Sequence, residues 1–260
     1  MKSAALRRTA ASVASVATRR RQLATFTFTP ENFRAPKLPS GLRVLDVPAV
    51  EATEASLNGY GYLIDSSDER TVEQGNFEIV RWPQPGWRKL DPMTGDEAGT
   101  TEGTFKVSWH GDYFFGHNLA VATSNNFYLD GLGARPEFSS REAPARGDGR
   151  HIYLWMSDYH PDGAQLFMPL TPMPFTVCLG LSVHGDDIEP EQMRAFHVPK
   201  GKGIYIHPST WHNGVYVPPE NAPASFLTRQ GRVHARVSCS WAAEKACLLR
   251  VPLVTTDVKS

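Results

Sequence analysis

The sequence predicts an all-β protein, a β-sandwich or barrel, on three observations. Short segments that alternate apolar and polar residues recur every 8–15 positions. Twenty-one glycines and 20 prolines break the chain between them, too often for a helical bundle. No GxxxxGK[ST], GxGxxG or GxSxG occurs, which takes the support from P-loop, Rossmann and α/β-hydrolase folds. The apolar fraction of 41% against 21% charged residues is enough to bury a core. No run of 18 apolar residues exists to form a membrane helix.

The elements follow in order. Residues 42–47 alternate and read as a strand. Residues 51–58 read as one short helix, and 59–64 return to an extended pattern. Strand 77–82 ends at Pro83-Gln84-Pro85-Gly86, a turn. The polar, glycine-rich stretch 89–104 reads as a loop, and 105–109, 118–121 and 127–129 as strands. In the second half, 152–156 and 165–170 are strands. Residues 175–183 are apolar on both faces, the pattern of a central strand. Residues 189–194, with Pro190 in the first turn, read as a brief helix. Strands at 195–198, 203–207, 214–217 and 233–241 complete the series.

The net charge of zero hides an asymmetry. Residues 1–30 carry Lys2, Arg7, Arg8, Arg19, Arg20 and Arg21 and no acid; the first acid is Glu31. A basic, hydroxyl-rich, acid-free start is the pattern of a mitochondrial targeting presequence, with plastid delivery the neighbouring reading. Cleavage after Arg21 would leave 21 bases against 27 acids, a balance that disfavours an extended nucleic-acid surface. The three cysteines, Cys178, Cys239 and Cys247, show no CxxC spacing and argue against a disulfide scaffold or a structural zinc site.

Two segments concentrate the chemistry. The first runs from Ser157-Asp158-Tyr159-His160-Pro161 through Gln165, Phe167 and Pro169-Leu170. The second runs from Arg194-Ala195-Phe196 through Gly201, Gly203, Tyr205 and His207 to Trp211-His212-Asn213. Alternate residues of a strand share a face, so Asp158 and His160 point one way, as do Tyr205 and His207. In a small barrel such faces look into the mouth, where ligands bind. The remaining histidines, His110, His117, His151, His184, His197 and His234, show no spacing that favours a site. Lys200 and Lys202 mark a solvated turn, and the tryptophans at 82, 87 and 109 read as packing.

These segments resemble the paired motifs of the cupin barrel and, more closely, those of the ureidoglycolate lyase (ureidoglycolate hydrolase) family. That family's first motif reads approximately E-R-H-P-x-G-x-Q-x-F-x-P-L, its second R-A-F followed by G-x-G-V-N-Y and W-H-H. The resemblance is good over residues 150–215 and weaker over 41–65, where Leu42-Arg43-Val44-Leu45, Ala55 and Tyr60-Gly61 echo the family's first elements. It implies one cupin-type domain over 41–255, enlarged at about 76–135. Two departures stand out. Asp158 stands near the position of the family's Glu, with a shorter reach. The family's strand after the second motif tends to end in Asp-Arg, whereas Val237-Ser238-Cys239-Ser240 holds no acid.

The resemblance implies cleavage of ureidoglycolate to glyoxylate and urea, in purine and allantoin catabolism, by a homodimer with a small-molecule substrate and no nucleic-acid or membrane partner. Such a lyase needs a base for the carbinol hydroxyl, a donor for the departing urea nitrogen and a cation for the substrate carboxylate. His212 or His160 is the expected base and Tyr205 or His207 the donor. Arg141 or Arg194 is the expected clamp, with Gln165 as a substrate contact. The resemblance also links the site with a divalent metal, for which Asp158, His160, Gln165 and His212 are the ligands to test; no nucleotide cofactor is implied. Gln165 is a weaker ligand than the carboxylate that metal cupins often place there. Two rival readings use the same barrel: a non-catalytic binder of a small organic acid, and a metal-dependent oxygenase or isomerase.

Overall fold

A computed structural model of the chain describes residues 38–65, 88–91, 101–119, 126–132, 149–161, 163–230 and 235–255. The targeting expectation for 1–30, the strand at 77–82, Arg141, His234 and half of the enlargement lie outside them.

About half of the described residues, 52%, lie in strands, and 7% are helical. The strands are β1 (Arg43–Asp46), β2 (Ala49–Glu51), β3 (Gly61–Asp65), β4 (Thr101–His110), β5 (Tyr113–Asn118), β6 (Asn126–Leu132), β7 (His151–Leu154) and β8 (Met156–Tyr159). Then follow β9 (Gln165–Pro169), β10 (Phe175–Gly180), β11 (Met193–Val198), β12 (Lys202–Ile206), β13 (Val215–Tyr216), β14 (Ala224–Gln230), β15 (Val237–Ser240) and β16 (Cys247–Pro252). One short helix, α1 (Trp241–Glu244), is capped by the Ser240 hydroxyl, which accepts from the Ala243 N–H. Ten strands form one sheet in the order β1-β16-β7-β6-β5-β4-β14-β9-β12-β3. Four form a second, β13-β10-β11-β2, and β15 pairs with β8 alone.

The two larger sheets bury their apolar faces against each other. Phe175 of β10 meets Phe226 of β14 at 5.2 Å between ring centroids, and Phe114 of β5 meets Tyr216 of β13 at 5.4 Å. All four rings are fully buried. β10 is buried along its whole length and paired on both edges, as the unbroken apolar run predicts.

Several boundaries differ from the sequence expectation, each for a visible reason. The helix expected at 51–58 is a string of turns held by Thr53 and Ser56 side chains, with Leu57 plugging the core. Only Pro190–Gln192 of the helix expected at 189–194 is helical, a single 3-10 turn, because Met193 already joins β11. β10 stops at Gly180, since Val183 pairs with Asp187 across a tight loop containing His184 (φ 50) and Gly185 (φ 90). The strand expected at 105–109 begins at Thr101, inside the stretch read as loop, because β14 supplies a partner for its polar residues. β14 and β16 were not expected at all, and Trp241, placed in the last expected strand, opens α1.

Candidate active site

Backbone pairing brings the two motif segments together. β8 runs between β15 and the segment that carries Trp211 and His212. On one edge Asp158 pairs in register with Ser238. On the other, Asp158 and His212 exchange both backbone hydrogen bonds, at 2.9 and 2.7 Å. Facing residues of an antiparallel pair, and residues two apart on one strand, share a side. Asp158, His160 and His212 therefore project together, and the imidazoles of His160 and His212 lie 5.1 Å apart between ring centroids, inclined at 62°. The opposite face is a packed polar-aromatic backing. Ser157 donates to Asn213 Oδ1 (2.7 Å) and accepts from the indole N–H of Trp241 (2.9 Å), and Tyr159 meets Trp211 edge-on at 4.9 Å.

The loop from β12 to His212 turns back at Ser209, which sits in the left-handed region at φ 61. Its N–H donates to the His160 carbonyl (3.2 Å), so the two histidine-bearing loops are tied by backbone as well. His160 Nδ1 lies 2.8 Å from the Ala235 carbonyl and His212 Nδ1 2.7 Å from the Thr210 carbonyl. A carbonyl only accepts, so each ring carries a proton on Nδ1. Both histidines are buried. Burial first, and the neighbouring His160 second, push His212 down to about 4, against smaller opposing effects of Asp158 and the Thr210 carbonyl. His212 is thus neutral at pH 7.

The other expected residues are distributed as follows. Gln165 is buried on β9; its amide N–H donates to Thr228 Oγ1 (2.6 Å), while its Oε1 is buried without a hydrogen-bond partner. Tyr205 faces Leu166 in the register of β12 with β9, in a small cluster with Ile64, Ala164 and Met168. Gln165 faces Ile206 instead, so Tyr205 lies on the other side of the sheet from Gln165. Tyr205 stacks on Tyr62 at 4.6 Å, and His207 meets it edge-on at 5.8 Å, so these two stand together as their spacing suggests. Arg194 is exposed on β11, opposite Leu179 in the register. Its position as clamp is not supported by any contact with the imidazole pair.

Sequence reasoning missed Arg236. Its Nε lies 2.8 Å from Asp91 Oδ2 and 3.6 Å from Asp158 Oδ2, with the side chain still 25% exposed. It precedes β15 and follows the residue whose carbonyl fixes His160, a neighbourhood that only the pairing of β15 with β8 reveals. Among the described residues, no group of three His, Cys, Asp or Glu side chains is placed to hold a metal ion. Asp158 faces the Arg236 guanidinium, whose positive charge opposes a cation beside it, while Gln165 Oε1 is buried without a partner. The guanidinium beside Asp158 disfavours the expected ligand set as a metal site. Burial lifts the Cys239 thiol to about 12 and the Cys178 thiol higher still, which leaves both inert as nucleophiles.

The fold and site define an all-β protein with a paired-imidazole centre between two strand–turn segments. Residues 120–243 match the sequence model of the ureidoglycolate lyase family. Among similar proteins, the ureidoglycolate lyase of Rhodobacter capsulatus is 41% identical over 65 residues, 25% of this chain and 38% of its own length. The ureidoglycolate lyase of Mesorhizobium japonicum is 28% identical over 127 residues, 44% of this chain and 75% of its own. Ureidoglycolate lyase 2 of Rhizobium meliloti is 38% identical over 67 residues, 26% of this chain and 39% of its own. The chain thus spans about two fifths of the length of the Rhodobacter and Rhizobium proteins.

Proposed function

We propose that this protein is a lyase that cleaves ureidoglycolate to glyoxylate and urea. The observation that carries the reading is the convergence of His160 and His212, each with Nδ1 held on a backbone carbonyl. In the reaction a base removes the proton from the carbinol hydroxyl. The oxygen electrons form the carbonyl of glyoxylate, the C–N bond breaks, and its electron pair leaves on the urea nitrogen. The proton taken from oxygen is the one that this nitrogen needs. Neutral His212 takes it, and the adjacent imidazole of His160 gives a second station from which to return it.

The substrate carboxylate requires a cation, and Arg236 beside Asp158 meets that need in place of Arg194. Gln165 is a candidate acceptor for an N–H of the ureido group, on the strength of its buried Oε1, whereas Tyr205 and its neighbour His207, the expected donors, stand across the sheet from it. The basic, acid-free residues 1–30 support delivery to mitochondria, tested by the location of a carboxyl-terminal fluorescent fusion. A homodimer is part of the same proposal, and sedimentation tests it. The experiment for the reaction is incubation of the purified chain with ureidoglycolate, reading urea and ammonia separately, with and without chelator. Urea with equimolar glyoxylate supports the lyase. Ammonia points to an amidohydrolase, and binding without turnover to a carrier of small organic acids.

A further inference from the structure

The segment Arg88–Asp91 belongs to neither motif, yet it is fastened across the back of both. Arg88 spreads its guanidinium between Asp187 Oδ1 (2.6 Å), Glu244 Oε2 (2.5 Å) and the Ser238 carbonyl (3.0 Å), with its Cζ 5.5 Å from the centre of the Trp211 ring. Its backbone N–H donates to Asp186, which also accepts from the Tyr159 hydroxyl. Trp211 and Tyr159 are the chain neighbours of His212 and His160. Asp91 is tied more tightly still. Its N–H donates to the Arg236 carbonyl (2.9 Å). Its carboxylate accepts from Arg236 Nε (2.8 Å), the Ser238 N–H (3.1 Å) and the Ser238 hydroxyl (2.6 Å). β15 has no acid of its own, and this carboxylate lies against it at Ser238, directly across from Asp158 in the register.

We propose that Asp91 is a positioning residue of the imidazole site, acting through Arg236 and the start of β15. Two consequences follow from the bonds above. Arg236 is held with Nε between the carboxylates of Asp91 and Asp158, so its orientation is fixed by both. The backbone on either side of Val237 is pinned, which fixes the Ala235 carbonyl that sets the tautomer of His160. The carboxylate missing from the second motif's downstream strand is thereby supplied from a segment about 150 residues earlier. This inference rests on the lyase reading for its kinetic consequence but not for its structural one.

The test uses the full chain with Asp91→Asn, Ser238→Ala, Arg236→Gln and the Asp91→Asn/Arg236→Gln double variant. Loss of one charge-assisted hydrogen bond should lower kcat/KM for urea release about tenfold in Asp91→Asn. Because Asp91 acts through Arg236, adding Asp91→Asn to Arg236→Gln should cost less than threefold further. Imidazole nitrogen NMR of wild type should report His160 as a single Nδ1–H tautomer. In Asp91→Asn that signature should give way to a mixture, and Ser238→Ala, which removes a single hydroxyl, should move it in the same direction. Fully additive kinetic losses, or a His160 tautomer unchanged in both single variants, would overturn the proposal. Should wild type release no urea, the lyase reading fails, while the imidazole spectra still decide the role of Asp91. Should Asp91→Asn not fold, Ser238→Ala carries the same spectroscopic test.

Discussion

Lowering the pH from 7 to 5 should remove about 2 kcal/mol of folding stability through His212 alone. The imidazole titrates near 6.5 in an unfolded chain and near 4 in the fold, where burial and His160 oppose its charge. Its folded value is depressed, so in this window the unfolded chain binds more protons and stability rises with pH. The contribution is intact above about 6.5, declines as pH falls toward 4, and reaches about 3 kcal/mol in full, at about 1.4 kcal/mol per tenfold change in proton affinity. The assay is guanidinium unfolding at pH 7 and pH 5 for wild type and His212→Asn, whose amide can still donate to the Thr210 carbonyl. Carboxylates common to both proteins cancel in the difference. Wild type should lose about 2 kcal/mol more than the variant between the two pH values. Equal losses would refute the claim that His212 is buried neutral, and with it the claim that its imidazole is unprotonated at pH 7.

Other expectations follow from the same geometry. His212→Ala and His160→Gln should each lower urea release about 10²-fold or more, the usual scale for a lost acid–base group, measured as initial rates of urea formation. Thermal unfolding of both variants would separate this from misfolding. Phe226→Ala removes a fully buried ring that joins the two sheets through Phe175 and should cost about 3–5 kcal/mol in guanidinium unfolding. Gly61→Ala would place a methyl 1.9 Å from the Tyr205 carbonyl oxygen, where β3 crosses against β12. It should abolish the folded yield or lower the melting temperature by several degrees, whereas Gly41→Ala, with open space around it but φ 76, should have a far smaller effect.

The parts of the fold written in local alternation were legible in the sequence. β9 and β12 fall where short strand patterns and Gly/Pro turns place them, and β10 lies within its unbroken apolar run but ends at Gly180. The convergence of His160 with His212 was expected from the resemblance to paired motifs rather than from strand parity, since His212 lies beyond the turn at Ser209 that follows β12. β14 was not, although Ala224, Phe226, Thr228 and Gln230 are buried in strict alternation. The inward residues include Thr228 and Gln230, which look like surface residues without their partners Gln165 and Asn118. The helix at 51–58 was over-read, since Thr53 and Ser56 bond locally and favour turns over helix. Arg236 and Asp91 were invisible for a different reason. Their pairing spans 145 positions and depends on which strand lies next to β8, a fact of topology that no local pattern encodes.

The most direct test of the paired-imidazole account is the product of a single reaction: purified protein mixed with ureidoglycolate at pH 7, with urea, ammonia and glyoxylate quantified together. The account predicts urea and glyoxylate in equal amounts from wild type and background rates from the His160→Gln/His212→Ala double variant. Ammonia as the nitrogen product, or undiminished urea release from the double variant, would contradict it.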